Sequence, residues 1–132
     1  MATPRYYFIM FGEPTPPDKD TIESGVYHPN ANLAPFPVRP GDILLLYCTE
    51  NYPEHAMQAP GFGVATRIDK TVIEYRYLPF TEPIYKSNLE QAFRPEDLDK
   101  FKNRRFSTFW LFEISRESFA AAIGQTTIAW PQ

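Results

Sequence analysis

Residues 39–49 read RPGDILLLYCT, and two features of this stretch decide the kind of fold. Pro40 and Gly41 occupy the central positions of a type II turn, where proline supplies a fixed negative φ and glycine tolerates the positive one. Behind the turn, residues 43–49 are apolar at odd and even positions alike. A half-wetted strand alternates, whereas a strand apolar on both parities is buried on both faces or closed into a barrel. The expected centre of the fold is therefore a sharply bounded, doubly buried strand.

Strands and helices are expected on either side of it. Residues 5–11 (RYYFIMF) form an aromatic strand ended by Gly12, Glu13 and Pro14, because proline cannot continue the ladder. Residues 61–68 (GFGVATRI) and 71–79 (TVIEYRYLP) flank Asp69 and Lys70 as a hairpin, with Val72, Glu74 and Arg76 on one face and Ile73, Tyr75 and Tyr77 on the inward one. Residues 106–114 (FSTFWLFEI) read as a long aromatic strand and 125–132 as a short edge strand. A short, weakly packed polar helix is expected at 18–24, where Asp20 and Glu23 have capping-box-like spacing, stopped at Gly25. Ser87 to Glu90 has the capping-box pattern of a second helix, and Pro95 with Glu96 and Asp97 opens a third ahead of the basic stretch 100–105. Ser115 caps a fourth at 116–123, closed by Gly124. Residues 26–40 lack any period and carry four prolines, a length of irregular chain that is usually functional when ordered; residues 50–60 form a second loop. The expected class is α+β, a small mixed β-barrel with short peripheral helices, and residues 1–132 form one domain.

Composition agrees. A chain of 132 residues suits a single core, and 16% aromatics with 14 prolines beside 6 glycines disfavour a helical bundle. No apolar run approaches the ~18 residues of a membrane helix, so no membrane partner is expected. The formal charge is −3, with three basic and seven acidic groups in residues 1–60 against ten and nine in 61–132. Bulk attraction to phosphate is weak, and any basic face lies in the second half. Lone Cys48 and a start without a secretory pattern point to a reducing cytoplasm. Between apolar neighbours Cys48 reads as a small core residue before it reads as a nucleophile.

Local signatures of catalysis are missing: the chain has no P-loop, no GxSxG and no HExxH. His28 and His55 with one cysteine make a poor zinc set, and Gly61-Phe62-Gly63 lacks the third glycine and following helix of a dinucleotide fingerprint, so neither metal nor cofactor is expected. Close packing of two strands explains those glycines better. Lys100, Lys102, Arg104 and Arg105, with Arg67 and Arg76, are the groups available to a nucleic-acid backbone, although a solvated helix face is the plainer explanation of the first four. The aromatic surplus beside the irregular segments is more informative. Phe11, Tyr27, Tyr47 and Tyr52 supply stacking faces, and Asn30, Asn32 and Asn51 supply amides that read the edge of a planar ring. Core aromatics and turn asparagines are the plainer explanation of the same residues.

Several strings taken in order also resemble one family. Residues 7–14 (YFIMFGEP) are similar to the Y-W-L-M-K-S-E-P opening of EVE domains, members of the PUA-like superfamily. Residues 25–32 (GVYHPNAN) resemble the G-V-R-N-Y-Q-A-R-N loop, 38–47 the K-x-G-D lead-in to the next strand, 47–51 the Y-H-S-N string, and 60–68 the P-G-I-x-G-I-A-x-V string. About the first half of the chain is covered. Phe8 stands at the family's tryptophan, Phe11 at its lysine, Gly12 at its serine, and Tyr27-His28 at its Arg-Asn. The resemblance implies a PUA-like barrel whose pocket takes a nucleobase, often modified, flipped from DNA or RNA, without covalent chemistry. Position by position it implies a pocket of Phe11, Gly12, Glu13, Tyr27, Asn30, Asn32, Tyr47 and Thr49. The partner is then nucleic acid or a free nucleobase-like ligand. Two other readings stand beside it: an interaction or structural module with a vestigial pocket, and an enzyme acting on a nucleotide or small metabolite through His28, Glu13 or Cys48.

Overall fold

The computed structural model describes residues 4–11, 21–27, 38–50, 52, 55–69, 72–102 and 111–124. Its strands are β1 (Tyr6–Phe11), β2 (Val26–Tyr27), β3 (Ile43–Cys48), β4 (Gln58–Asp69), β5 (Val72–Tyr85) and β6 (Leu111–Ile114). Its helices are α1 (Lys86–Ala92), α2 (Pro95–Lys102) and α3 (Arg116–Ile123), with a single 3-10 turn at Ile22–Ser24. The strands form one sheet in the order β2-β5-β4-β3-β1-β6. The parallel pair is β1 with β3, from Tyr6 opposite Ile43 to Phe11 opposite Cys48; the other pairings are antiparallel. The architecture is mixed α+β, a six-stranded sheet curled into a half-barrel with three short helices among the described residues.

The turn before β3 forms as its sequence dictates. Gly41 takes φ 95° and the Asp42 N–H donates to the Arg39 carbonyl at 3.0 Å. The Asp42 carboxylate then accepts from the Arg39 N–H at 2.8 Å and from the Arg5 N–H at 3.1 Å, tying the turn to the start of β1. β3 is buried on both faces. Leu44, Leu46 and Cys48 join Tyr7, Ile9, Phe11, Ile73 and Tyr75 in one cluster, while Leu45 and Tyr47 join Phe8, Met10, Phe62 and Phe119 in the other. The second cluster is covered by the helices through Leu89 of α1, Phe101 of α2 and Phe119 and Ala122 of α3. Phe8 is its hub, with the rings of Tyr47, Phe93, Phe101 and Phe112 centred 5.0–5.4 Å away; such pairs contribute about 0.5–1.5 kcal/mol each beyond area.

Curling is visible in one contact. Tyr27 belongs to the edge strand β2, with three strands between it and β1 in sheet order, yet its ring lies 5.0 Å from that of Phe11 and its hydroxyl donates to the Met10 carbonyl at 3.4 Å. The sheet must bend toward this cluster for β2 to reach β1. Register shifts between Ala59 and Gly61 and between Ala65 and Arg67 supply places for such bending. Gly61 and Gly63 sit where the hairpin strands come closest. A Cβ at Gly61 would stand 2.6 Å from the Leu78 carbonyl oxygen and 2.9 Å from the Pro79 Cα, and one at Gly63 would stand 2.6 Å from the Tyr75 ring. The hairpin faces are those expected, with Ile73 and Tyr75 buried, Tyr77 packed against them and Arg76 exposed.

Four expectations change. β4 and β5 run longer than the sequence suggested, to Gln58 and Tyr85 at their far ends. α1 begins at Lys86, whose N–H donates to the Met57 carbonyl at 3.0 Å, so Ser87 is already inside the helix and the capping-box pattern there is unused. In place of a weakly packed helix at 18–24, the described part is one 3-10 turn, and Ile22 within it is fully buried. The turn stops at Gly25, φ 74°, as expected, and two phenols hold it: Tyr52 accepts from the Ile22 N–H at 3.1 Å, and Tyr75 donates to the Ile22 carbonyl at 2.6 Å. The irregular stretch 26–40 opens with the short strand β2. Of the aromatic strand expected at 106–114, Leu111–Ile114 is strand; 103–110 and the tail 125–132 lie outside the described residues.

α2 and α3 start as their sequences require, and a buried carboxylate joins them. Asp97, in the first turn of α2, accepts from the Ser118 hydroxyl at 2.6 Å, the Ser115 hydroxyl at 2.8 Å and the Ser115 N–H at 3.0 Å. Ser115 also caps α3 by accepting from the Ser118 N–H at 3.1 Å, and Ser118 accepts from the Arg94 N–H at 2.8 Å. Burial works against ionisation of Asp97, but the bonds from Ser118 and Ser115, with the positive charge of Lys100, outweigh it and hold the carboxyl below its ordinary value. A group whose folded pKa is depressed stabilises the fold fully above its unfolded value of about 3.9, and that contribution fades as pH falls through the folded value. Urea midpoints should therefore fall on the acid side of about pH 4, with a shallower acid slope in Asp97→Asn. Gly61→Ala, which meets main chain, should lower stability at neutral pH by about 1–3 kcal/mol in the same assay.

Candidate functional site

Parallel strands release their chains at the same end, and here β1 and β3 end side by side. The Thr49 N–H donates to the Phe11 carbonyl at 2.9 Å, one residue past the Phe11 and Cys48 pair. The Tyr52 N–H donates to the Thr49 carbonyl at 3.1 Å, and the Tyr52 hydroxyl reaches Ile22. Tyr27 closes against Phe11 with its ring plane at 63°. Phe11, Tyr27, Thr49 and Tyr52 thus meet at one end of the sheet, each 5% exposed or less. Thr49 Oγ1 is buried there without a hydrogen-bond partner among the described residues. An unpaired buried hydroxyl costs about 1–3 kcal/mol, which marks this group for explanation.

Of the pocket residues expected from sequence, the fold pairs the rings of Phe11 and Tyr27 and joins Thr49 to Phe11 through the main chain. Tyr47 goes elsewhere: strand alternation turns its ring into the helix-covered cluster, 5.4 Å from Phe8 and 5.2 Å from Phe101. Gly12, Glu13, Asn30 and Asn32 lie outside the described residues. The contribution of Ile22 and Tyr75, which anchor the turn behind Tyr52, was missed because it arises from contacts more than fifty residues apart.

The expected backbone-contact residues scatter. Arg67 lies between Asp69 at 3.6 Å and Glu74 at 3.8 Å. Arg76 is level with Val64, Ile43 and Tyr6, at the opposite end of β1 from Phe11, about 17 Å along a strand. Lys100 donates to the Glu113 carbonyl at 2.9 Å, level with Tyr7, and Lys102 stands 3.8 Å from Glu90. Arg104 and Arg105 lie outside the described residues.

Cys48 is fully buried, and its thiol is pushed up to about 12, by burial first and then by the negative charge of Glu23. The same two causes raise the Tyr77 phenol. A thiol so placed is protonated at neutral pH and is a core residue, as its apolar neighbours imply. His28 and Glu13, the other groups of the enzymatic reading, lie outside the described residues. Among the described residues no three His, Cys, Asp or Glu side chains cluster as a metal would require, and no helix is long and apolar enough to cross a membrane.

No protein-family model, curated protein or solved structure matches this chain. The class that the coordinates define is thus an architectural one, a helix-backed β half-barrel with a polar group buried at the end of its parallel pair. Cys48 should resist iodoacetamide at about pH 8 in the folded protein and react within minutes in urea, as followed by mass spectrometry.

Proposed function

We propose that the end of the β1 and β3 pair holds a nucleobase or similar planar ring by aromatic contact and edge hydrogen bonding, without covalent chemistry, in a PUA-like domain. The observation that carries this is the Phe11 and Tyr27 ring pair at the strand end, where the Thr49 main chain joins Phe11 and the buried Thr49 hydroxyl lacks a partner among the described residues. A ring entering there separates the Phe11 and Tyr27 pair, which costs about 0.5–1.5 kcal/mol, and gains stacking of about 1–3 kcal/mol per base. Thr49 then selects: its hydroxyl both donates and accepts, and a base edge that satisfies it removes the cost of leaving it unpaired. The resemblance to EVE domains points to the same positions, where Phe11 and Tyr27 stand in place of that family's lysine and arginine.

Exposed Met57 and Tyr85 favour a second reading. These large apolar side chains, 40% and 56% exposed, are brought close where α1 leaves β5, and an interaction module with a vestigial pocket would use them.

Titration calorimetry with unmodified and methylated nucleosides tests the first reading. Saturable binding of at least one is expected, weakened about tenfold by Thr49→Val and more strongly by Tyr27→Ala, with thermal unfolding of the Thr49 variant unchanged or raised. Binding by none of them, or binding untouched by both substitutions, defeats it.

A further inference from the structure

We propose that Met57 is a further contact residue of the ring-binding end, meeting the planar ring from the side of Thr49 opposite Phe11. The inference rests on the base-binding reading above and adds a residue to its site. One peptide unit places it. The Thr49 N–H donates to the Phe11 carbonyl at 2.9 Å, and the Cys48 carbonyl, the other half of the same peptide group, accepts from the Met57 N–H at 2.8 Å. Phe11 and Met57 therefore flank the exit of β3 on its two sides, about two strand spacings or roughly 10 Å apart, a gap that a planar ring and an unbranched side chain can span. The row continues to Lys86, whose N–H donates to the Met57 carbonyl at 3.0 Å, so the Met57 main chain is held from both sides.

The conformation held in this way is one that a plain turn would give to glycine. Met57 has φ 61°, in the left-handed region where Cβ crowds the following carbonyl oxygen. The residue is 40% exposed, so burial returns little for the strain, and glycine would make the same two hydrogen bonds without it. His55 shares the region at φ 56°, but histidine enters it several-fold more readily than most residues and is the weaker outlier. A strained backbone that serves no packing points to a use of the side chain outside the fold. The thioether suits a planar ring, because it is polarisable, unbranched and adapts to the edge of an aromatic system. Tyr85, 56% exposed and the register partner of Gln58, extends the apolar surface on from Met57.

Calorimetry with the same unmodified and methylated nucleosides, on Met57→Ala, Met57→Gly and Met57→Leu, tests this alongside NMR of protein labelled at its methionine methyl groups. Binding should weaken about threefold to tenfold in the alanine and glycine variants and stay within about twofold in the leucine variant, which keeps the apolar reach. The urea midpoint should rise in Met57→Gly, where the left-handed strain is relieved, and not in Met57→Ala, where it persists. The Met57 methyl signal, assigned by its loss in Met57→Leu, should shift with nucleoside and saturate with the heat of binding. Binding unchanged in both the alanine and glycine variants, a Met57 signal that stays still, or a lowered midpoint for Met57→Gly overturns the inference. Each of these results leaves the base-binding reading intact and returns Met57 to the interaction reading. Absence of binding by every nucleoside overturns the base-binding reading itself, and this contact with it.

Discussion

One carboxylate fixes the register from which the rest of the sheet follows. Asp42 accepts from the main-chain N–H groups of Arg39 and Arg5, its own N–H closes the turn, and its carbonyl accepts from Ala65 at 2.9 Å. Gly41 donates to the Ala65 carbonyl at 2.7 Å, and Ile43 donates to the Arg5 carbonyl at 2.9 Å. Three strands, β1, β3 and β4, are locked at this corner. A parallel pair has no short turn to set its alignment, so a side chain that bridges the two strand starts does what a hairpin loop does for antiparallel neighbours. A slip of one residue would exchange Tyr7, Ile9 and Phe11 with Phe8 and Met10 between the two clusters.

That alignment explains where the aromatic surplus goes. Phe8, Tyr47, Phe93, Phe101, Phe112 and Phe119 build the core between sheet and helices, and Tyr52, Tyr75 and Tyr77 direct their hydroxyls to main-chain atoms on the other side. Most rings are therefore structural. The functional argument narrows to the pair Phe11 and Tyr27, which sits where edge strand β2 crosses to β1. The same pair links edge strand β2 to β1 across the curl of the sheet.

Much of this was legible in the sequence because it is local. The Pro40-Gly41 turn, the double burial of β3, the inward face of Tyr75 and Tyr77, the Pro95 start of α2 and the Ser115 cap of α3 all follow from a few adjacent residues. What failed had distant causes. Ser87 has the pattern of a cap, but β5 continues to Tyr85 and the Met57 carbonyl takes the Lys86 N–H, so the helix starts two residues sooner. Ile22 lies in a polar segment, and its burial is imposed by Tyr52 and Tyr75 from 30 and 53 residues away. Tyr47 was grouped with Phe11 because both belong to a resemblance read along the chain. Which face a strand residue takes depends on parity within the sheet, and Tyr47, opposite Met10, has the parity of the helix-covered side.

At the starting end of the parallel pair the main-chain groups are satisfied by Asp42 and its neighbours. Two buried hydroxyls lack a hydrogen-bond partner among the described residues, that of Tyr7 within β1 and that of Thr49 just past the end of β3. A fold under no demand there could place valine at position 49 with the same shape and lose the cost of the unpaired group, about 1–3 kcal/mol. Parallel strands also deliver two chain exits to one point, the arrangement by which sheets of this kind gather binding segments at the carboxyl ends of their strands. Phe11 and Thr49 stand at those two exits, joined by the bond from the Thr49 N–H to the Phe11 carbonyl.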